Sequence, residues 1–240
     1  QPAWQPGHEA VLAVQDGRLV LVDLDSGASR VITEGPSHSD PAWFPDGQRI
    51  VFSAPDELGG RDLFVTDLEG NVTPLGLSAR IDSGDSPSVL NRPAVSPLDE
   101  SIAFHVNTAN GLDIWVQRPD GTVELAAGEP GSDDFHPAFG TSGELIWSSN
   151  RSGVERVYVR RVGSSEDIEV AMPPGASVKD ADVSPCGDVL VVQVDDPADG
   201  GSRIAHRGLG PGSGPLEQVP VPEGVADATD PSWAGQSCPA

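Results

Sequence analysis

Aspartate, arginine and histidine recur at one place in this sequence, directly ahead of a short phrase that runs into Trp, Phe or Val. Asp40 precedes "PAWFPDG", Arg92 precedes "PAVSPLD", His136 precedes "PAFGTSG", Asp180 precedes "ADVSPCG" and Asp230 precedes "PSWAGQS". His38 and Asp134 stand two residues ahead of Asp40 and His136, with Asn91, Asp133, Lys179 and Asp227 close by. Gathered at one mouth of a fold, this set would bind a polar ligand or a cation. The same residue types also cap turns and satisfy backbone N–H groups at strand starts, which is the competing expectation. His38 and His136, converging with Asp134 and Asp180, would offer imidazole and carboxylate to a divalent cation, the donor set of a metal-dependent carbohydrate lyase or hydrolase.

Other patterns weigh against assembled catalysis. None of the five histidines (His8, His38, His105, His136, His206) is spaced at i+2 or i+4 from another, so there is no local metal motif. His105 follows Phe104 in an apolar run and reads as a partly buried structural residue. No DxDxDG calcium loop and no GxSxG nucleophile elbow occurs. "GLGPGSG" at 208–214 lacks the Lys-Ser/Thr of a phosphate loop and reads as a flexible hairpin insertion. Asp133-Asp134 and Asp195-Asp196 are adjacent in the chain, so on a strand each pair points to opposite faces. No resident cofactor is expected beyond a divalent cation at the mouth, and no catalytic residue is assigned.

Composition narrows the class further. The 240 residues carry a formal net charge of −23. Phosphate binding is driven by Lys and Arg, so this chain is not expected to bind nucleic acid. The charge suits solubility, cationic partners, divalent ions or a salty medium. No run of 18 apolar residues is present, so no membrane-spanning helix is expected. The start at Gln1 rather than Met is expected of a chain that has lost an export signal or of a domain excised from a larger protein. Cys186 and Cys238 are too few for a disulfide framework and have no CxxC spacing.

The elements that must position these residues come from a repeat. With 28 Gly and 23 Pro, the chain is suited to many short strands joined by tight turns. Repeat units fall at about 1–39, 40–91, 92–135, 136–179 and 180–229, with a partial unit at 230–240. Each opens with a short extended piece, ending at Trp4, Trp43, Val95, Phe139, Val183 or Trp233. A turn such as Pro45-Asp46-Gly47 follows, then an apolar strand such as Ile50-Val51-Phe52, Ile102-Ala103-Phe104 or Leu145-Ile146-Trp147. Third strands are expected at Leu19–Leu24, Asp62–Thr66, Asp113–Val116 and Arg156–Val159. Fourth strands are expected at Ser29–Thr33, Val72–Leu75 and Thr122–Ala126; 166–172 also fits a fourth strand better than a helix. Four strands in about 45 residues is the signature of a β-propeller blade, so the fold class is all-β, a single propeller domain over 1–240 built of four-stranded antiparallel blades.

"DPAWFPDGQRIVFSA…RDLFVTDLEGN" and "GELIWSSNRSGVERVYV" resemble the WD40-like repeat of TolB-type β-propellers. The resemblance covers the whole chain. It implies an extracytoplasmic propeller, secreted, periplasmic or at the cell surface, that binds a protein or peptide at the mouth of its channel without catalysis. Similar propellers also gate serine peptidases, and a propeller of this kind is also expected as part of a larger envelope or surface protein. The counted strands give five blades. The usual six of the family gives the alternative, with the last blade incomplete or with the strand at Asp230 closing the ring. Cys186 lies in the first turn of the fifth unit and Cys238 two residues past the matching position of the sixth. A tail packed beside blade 5 would let them bond if their Cα atoms came within about 7 Å, the alternative being two free thiols.

Overall fold

The computed structural model describes residues 2–82, 84, 87–109, 111–170, 175–184, 189–196, 201–209 and 214–220. Cys186, Cys238, Asp230 and the strand expected at 230–233 lie outside the described residues, as do the disulfide and the C-terminal closure that depend on them.

The strands form five four-stranded antiparallel sheets, each built from neighbours in sequence. Blade 1 holds β1 (Ala3–Trp4), β2 (Ala10–Gln15), β3 (Arg18–Asp23) and β4 (Ser29–Thr33). Blade 2 holds β5 (Ser39–Trp43), β6 (Arg49–Pro55), β7 (Arg61–Asp67) and β8 (Val72–Pro74). Blade 3 holds β9 (Leu90–Val95), β10 (Ile102–Thr108), β11 (Gly111–Gln117) and β12 (Val123–Ala127). Blade 4 holds β13 (Asp134–Phe139), β14 (Leu145–Ser149), β15 (Arg156–Arg160) and β16 (Asp167–Glu169). Blade 5 holds β17 (Ser177–Val183), β18 (Val189–Asp196), β19 (Gly201–Gly208) and β20 (Glu217–Gln218). This is the five-bladed propeller read from the repeat, with β1 in the inner place of blade 1.

Side chains alternate across a strand, so a blade between two others must be apolar on both faces. In β6, Ile50, Phe52 and Ala54 pack with Leu12, Leu19, Ile32 and Trp43, while Val51 packs with Leu90, Phe104 and Val106 of blade 3. In β10 the faces divide the same way: Ile102, Phe104 and Val106 join blade 2, and Ala103 joins Leu145, Trp147 and Tyr158 of blade 4. Ile146 of β14 turns the other way, into Val178, Leu190 and Val192 of blade 5. The four clusters are thus the four interfaces between successive blades. Phe52, Phe104 and Trp147 are fully buried in them, and each phenylalanine contributes roughly 1.5–3 kcal/mol by leaving water.

Polar links lock the same interfaces. Trp43, which ends the inner strand of blade 2, donates its Nε1 hydrogen to the Ala3 carbonyl of blade 1. Gln5 donates to the carbonyl of Gly47, in the Pro-Asp-Gly turn. The long second unit contains a feature not expected from sequence, a single 3₁₀ turn at Ser78–Arg80. Its flanks, Leu77 and Ile81, are buried between blades 2 and 3. The buried carboxylate of Asp62 accepts the Leu77 and Ser78 amides and holds the turn down.

Candidate functional site

Asp40, Arg92, His136 and Asp180 occupy one structural position in four blades. Sequence reasoning set them just before the inner strands, but they lie inside them. In each of these four inner strands, two residues oppose a single residue of the second strand. Asp40-Pro41 oppose Phe52, Arg92-Pro93 oppose Phe104, His136-Pro137 oppose Trp147 and Asp180-Ala181 oppose Val192. This is a β-bulge, which kinks the strand and re-aims a side chain. Pro fits there because a bulged residue is excused from the ladder. Asp40, Arg92, His136 and Asp180 have φ of 50°, 52°, 51° and 50°. That left-handed conformation falls most often to glycine and, after it, to Asn, Asp and His; here two Asp, one His and one Arg hold it.

The bulged side chains meet between blades. Arg92 Nε lies 3.3 Å from Asp40 Oδ1, joining blades 2 and 3. His136 Nδ1 meets Asp180 Oδ1, joining blades 4 and 5. The His136 amide donates to His105 Nδ1 at 3.5 Å, and the two rings lie 5.8 Å apart, joining blades 3 and 4. The competing expectation was that such residues cap their own turns; Asp40 and Asp180 instead turn their carboxylates to neighbouring blades.

Local fields follow from this packing. Burial pushes the Asp180 carboxyl up, but the His136 hydrogen bond and the charges of His136, Arg92 and Lys179 outweigh it and leave it below its ordinary value. Burial drives His105 down to about 3, helped by His136 and Arg92. His105 is therefore neutral at physiological pH and is the structural histidine of β10 that its sequence context suggested.

The remaining predicted residues separate. His38 accepts or donates at Nδ1 to Thr33 Oγ1, 2.8 Å away, and its ring lies on Phe52. Burial, then Arg61, lowers its pKa. Asp134 is fully buried rather than set at the mouth. It accepts from Trp147 Nε1 at 3.0 Å and from Arg151 at 2.7 Å. Arg151 also reaches Asp167 and lies over the Tyr158 and Trp147 rings, so this group is a structural anchor of blade 4. No three metal-ligating side chains come together among the described residues. The His136–Asp180 pair resembles an oriented general base, but no hydroxyl or thiol is bonded to it among the described residues.

Sequence reasoning missed Arg61. It begins β7, and its guanidinium folds back to Ser53 Oγ, the Ser53 and Ser37 carbonyls and Ser39 Oγ, beside the Asp40 bulge. Nothing in its neighbours "GGRDL" signals this, because the contact depends on where the loop before the bulge runs.

Comparison with known proteins agrees on architecture. No family model matches the chain, and no curated protein matches it. Among solved structures, a TolB described as putative from Agrobacterium tumefaciens superposes with a TM-score of 0.75 at 18% identity, over 90% of this chain and 78% of that one. TolB from Acinetobacter baumannii gives 0.63 at 17% identity, over 87% and 50%. A puromycin-hydrolyzing peptidase of Mycobacterium tuberculosis gives 0.59 at 16% identity, over 86% and 36%. The chain therefore spans half of the second TolB and about a third of the peptidase. At these identities the likeness is one of fold, and the fold is a TolB-type β-propeller.

Proposed function

We propose that this propeller is a non-catalytic, extracytoplasmic binding module that engages a protein or peptide at the channel mouth formed by Asp40, Arg92, His136 and Asp180. The observation that carries the reading is the bulge. Four non-glycine residues stand in left-handed backbone at equivalent positions, at a cost on the order of 1–2 kcal/mol for a side chain such as Arg92 and less for Asp and His, which tolerate this region better. A fold needing only the kink would be better served by glycine, so the side chains are what the strain supports. Localisation outside the cytoplasm follows the resemblance to TolB-type propellers; no helix of the described residues is long and apolar enough to cross a membrane.

A photo-crosslinking amino acid placed at Arg92, and in a second protein at the outer-strand residue Ile168, tests this in extracts of the native envelope. The proposal expects one reproducible adduct from position 92 and none from 168. Equal labelling from both positions, or none from 92, would overturn it.

A second reading is favoured by the peptidase likeness, in which the propeller covers about a third of the matched chain. Here the mouth would admit peptide to a catalytic domain carried elsewhere. Both readings place a peptide chain at the same four residues.

A further inference from the structure

We infer that the blade 2 side of the mouth holds a carboxylate of the bound peptide, received by Arg61. The inference rests on the peptide-binding reading above and names the chemistry that site selects.

Arg61 differs from the other part-buried cations. Arg151 is paired with Asp134 and Asp167, Arg160 with Asp167, and Lys179 with Glu155 and Asp195. Arg61 has no carboxylate within ion-pair distance among the described residues, although the chain has 37 acidic residues. Its Nε and Nη2 are spent on neutral oxygens: Ser53 Oγ at 2.9 Å, Ser39 Oγ at 2.7 Å, the Ser37 carbonyl at 2.8 Å and the Ser53 carbonyl at 3.0 Å. These bonds fix the guanidinium without neutralising it. Nη1 keeps its donors, with no partner among the described residues. The nearby carboxylate that opposes its charge, Asp40, is engaged by Arg92.

The backbone is shaped to hold this arginine. Ser37 is itself left-handed, at φ 64°, and turns its carbonyl to Arg61. The Arg61 amide donates to the Ser88 carbonyl at 2.9 Å, tying β7 to the approach to β9. A side chain at Gly60 would meet that same carbonyl at 2.1 Å, so this close approach requires glycine. Ser53 Oγ, which accepts from Arg61, donates to the Leu90 carbonyl two residues before Arg92. A preorganised guanidinium with unspent donors binds carboxylate by a charge-assisted hydrogen bond. A polyanion is disfavoured by the chain's net charge of −23, whereas a single carboxylate meets mainly the local guanidinium.

The carboxylate belongs to either a peptide C-terminus or an Asp or Glu side chain. Titration of the whole chain separates them, using N-acetyl-trialanine for the first, N-acetyl-Ala-Asp-Ala-amide for the second and N-acetyl-Ala-Lys-Ala-amide as the cationic control. The readouts are calorimetry and the Arg61 Nε–H resonance. At least one carboxylate peptide should bind saturably and shift that resonance, and the tighter one identifies the source. Arg61→Gln should weaken it by about tenfold or more, and Asp40→Asn should tighten it about threefold by removing the opposing charge. Because Asp40→Asn also releases Arg92, its gain decides the matter together with the shift of the Arg61 Nε–H resonance, even if Arg61→Gln fails to fold. No saturable binding of either carboxylate peptide, or equal affinities in wild type and Asp40→Asn, would overturn the inference. If crosslinking from position 92 nevertheless captures a partner, the mouth stands and only its carboxylate preference falls.

Discussion

Asp40, Arg92, His136 and Asp180 carry a conflict between conformation and chemistry. Left-handed backbone favours glycine by roughly 1 kcal/mol or more over alanine. His136→Gly should therefore be more stable than His136→Ala by about that amount in denaturant unfolding. Equal stabilities would mean that the bulge relaxes when the side chain is lost. His105 makes a second prediction. Its pKa is about 3 when folded, against an ordinary value of 6.5. Between those values the unfolded chain binds the proton and the folded chain does not, so stability falls as pH drops from about 6.5 towards 3, by up to about 1.4 kcal/mol per pH unit. Asp180 adds to the fall lower down: its folded pKa is depressed, so its contribution is present above about 4 and is lost as pH falls below that. His105→Gln should flatten the upper part of this profile between pH 6 and 4; an unchanged slope would assign the acid sensitivity to other groups.

Strands and turns were largely legible, and the failures have physical causes. β6, β10 and β14 announced themselves through unbroken apolar runs, because each blade is buried on both faces. The strand expected within 166–172 is present as β16 at Asp167–Glu169. The inner strands were placed late because a bulge inserts a residue and breaks the period of two on which strand reading relies. That displaced Asp40 and its counterparts from strand interior to strand approach. Asp134 sits two residues from His136 and alternation would put both on one face, but the bulge at His136-Pro137 re-aims His136 and leaves Asp134 on Trp147 and Arg151. Arg61 was illegible because its partners come from the loop before β5 and from β6. The blade 4 anchor makes a prediction at this scale. Arg151→Met leaves the buried Asp134 without its cation and should cost about 3–5 kcal/mol. Arg118→Met, which breaks only the exposed pair with Glu124, should cost under about 1 kcal/mol. Similar losses for the two variants in urea unfolding would contradict the anchoring role of Arg151.

Across the whole molecule, the five repeat units became five blades and the four apolar clusters became the interfaces between them. The net charge of −23 was legible at once, and its consequence is general self-repulsion. The melting temperature should rise between about 20 mM and 500 mM NaCl as screening sets in, whereas carboxylate binding at Arg61 should weaken over the same range. A melting temperature indifferent to salt would show that paired charges already offset the excess. The central claim is that the four bulged side chains serve a partner rather than the fold. The most direct test replaces all four with glycine, which removes both ion pairs whole, and compares unfolding with capture of the partner crosslinked from position 92. The account predicts a variant at least as stable as wild type that no longer captures this partner. A variant that unfolds far more easily, or one that captures the partner undiminished, would contradict it.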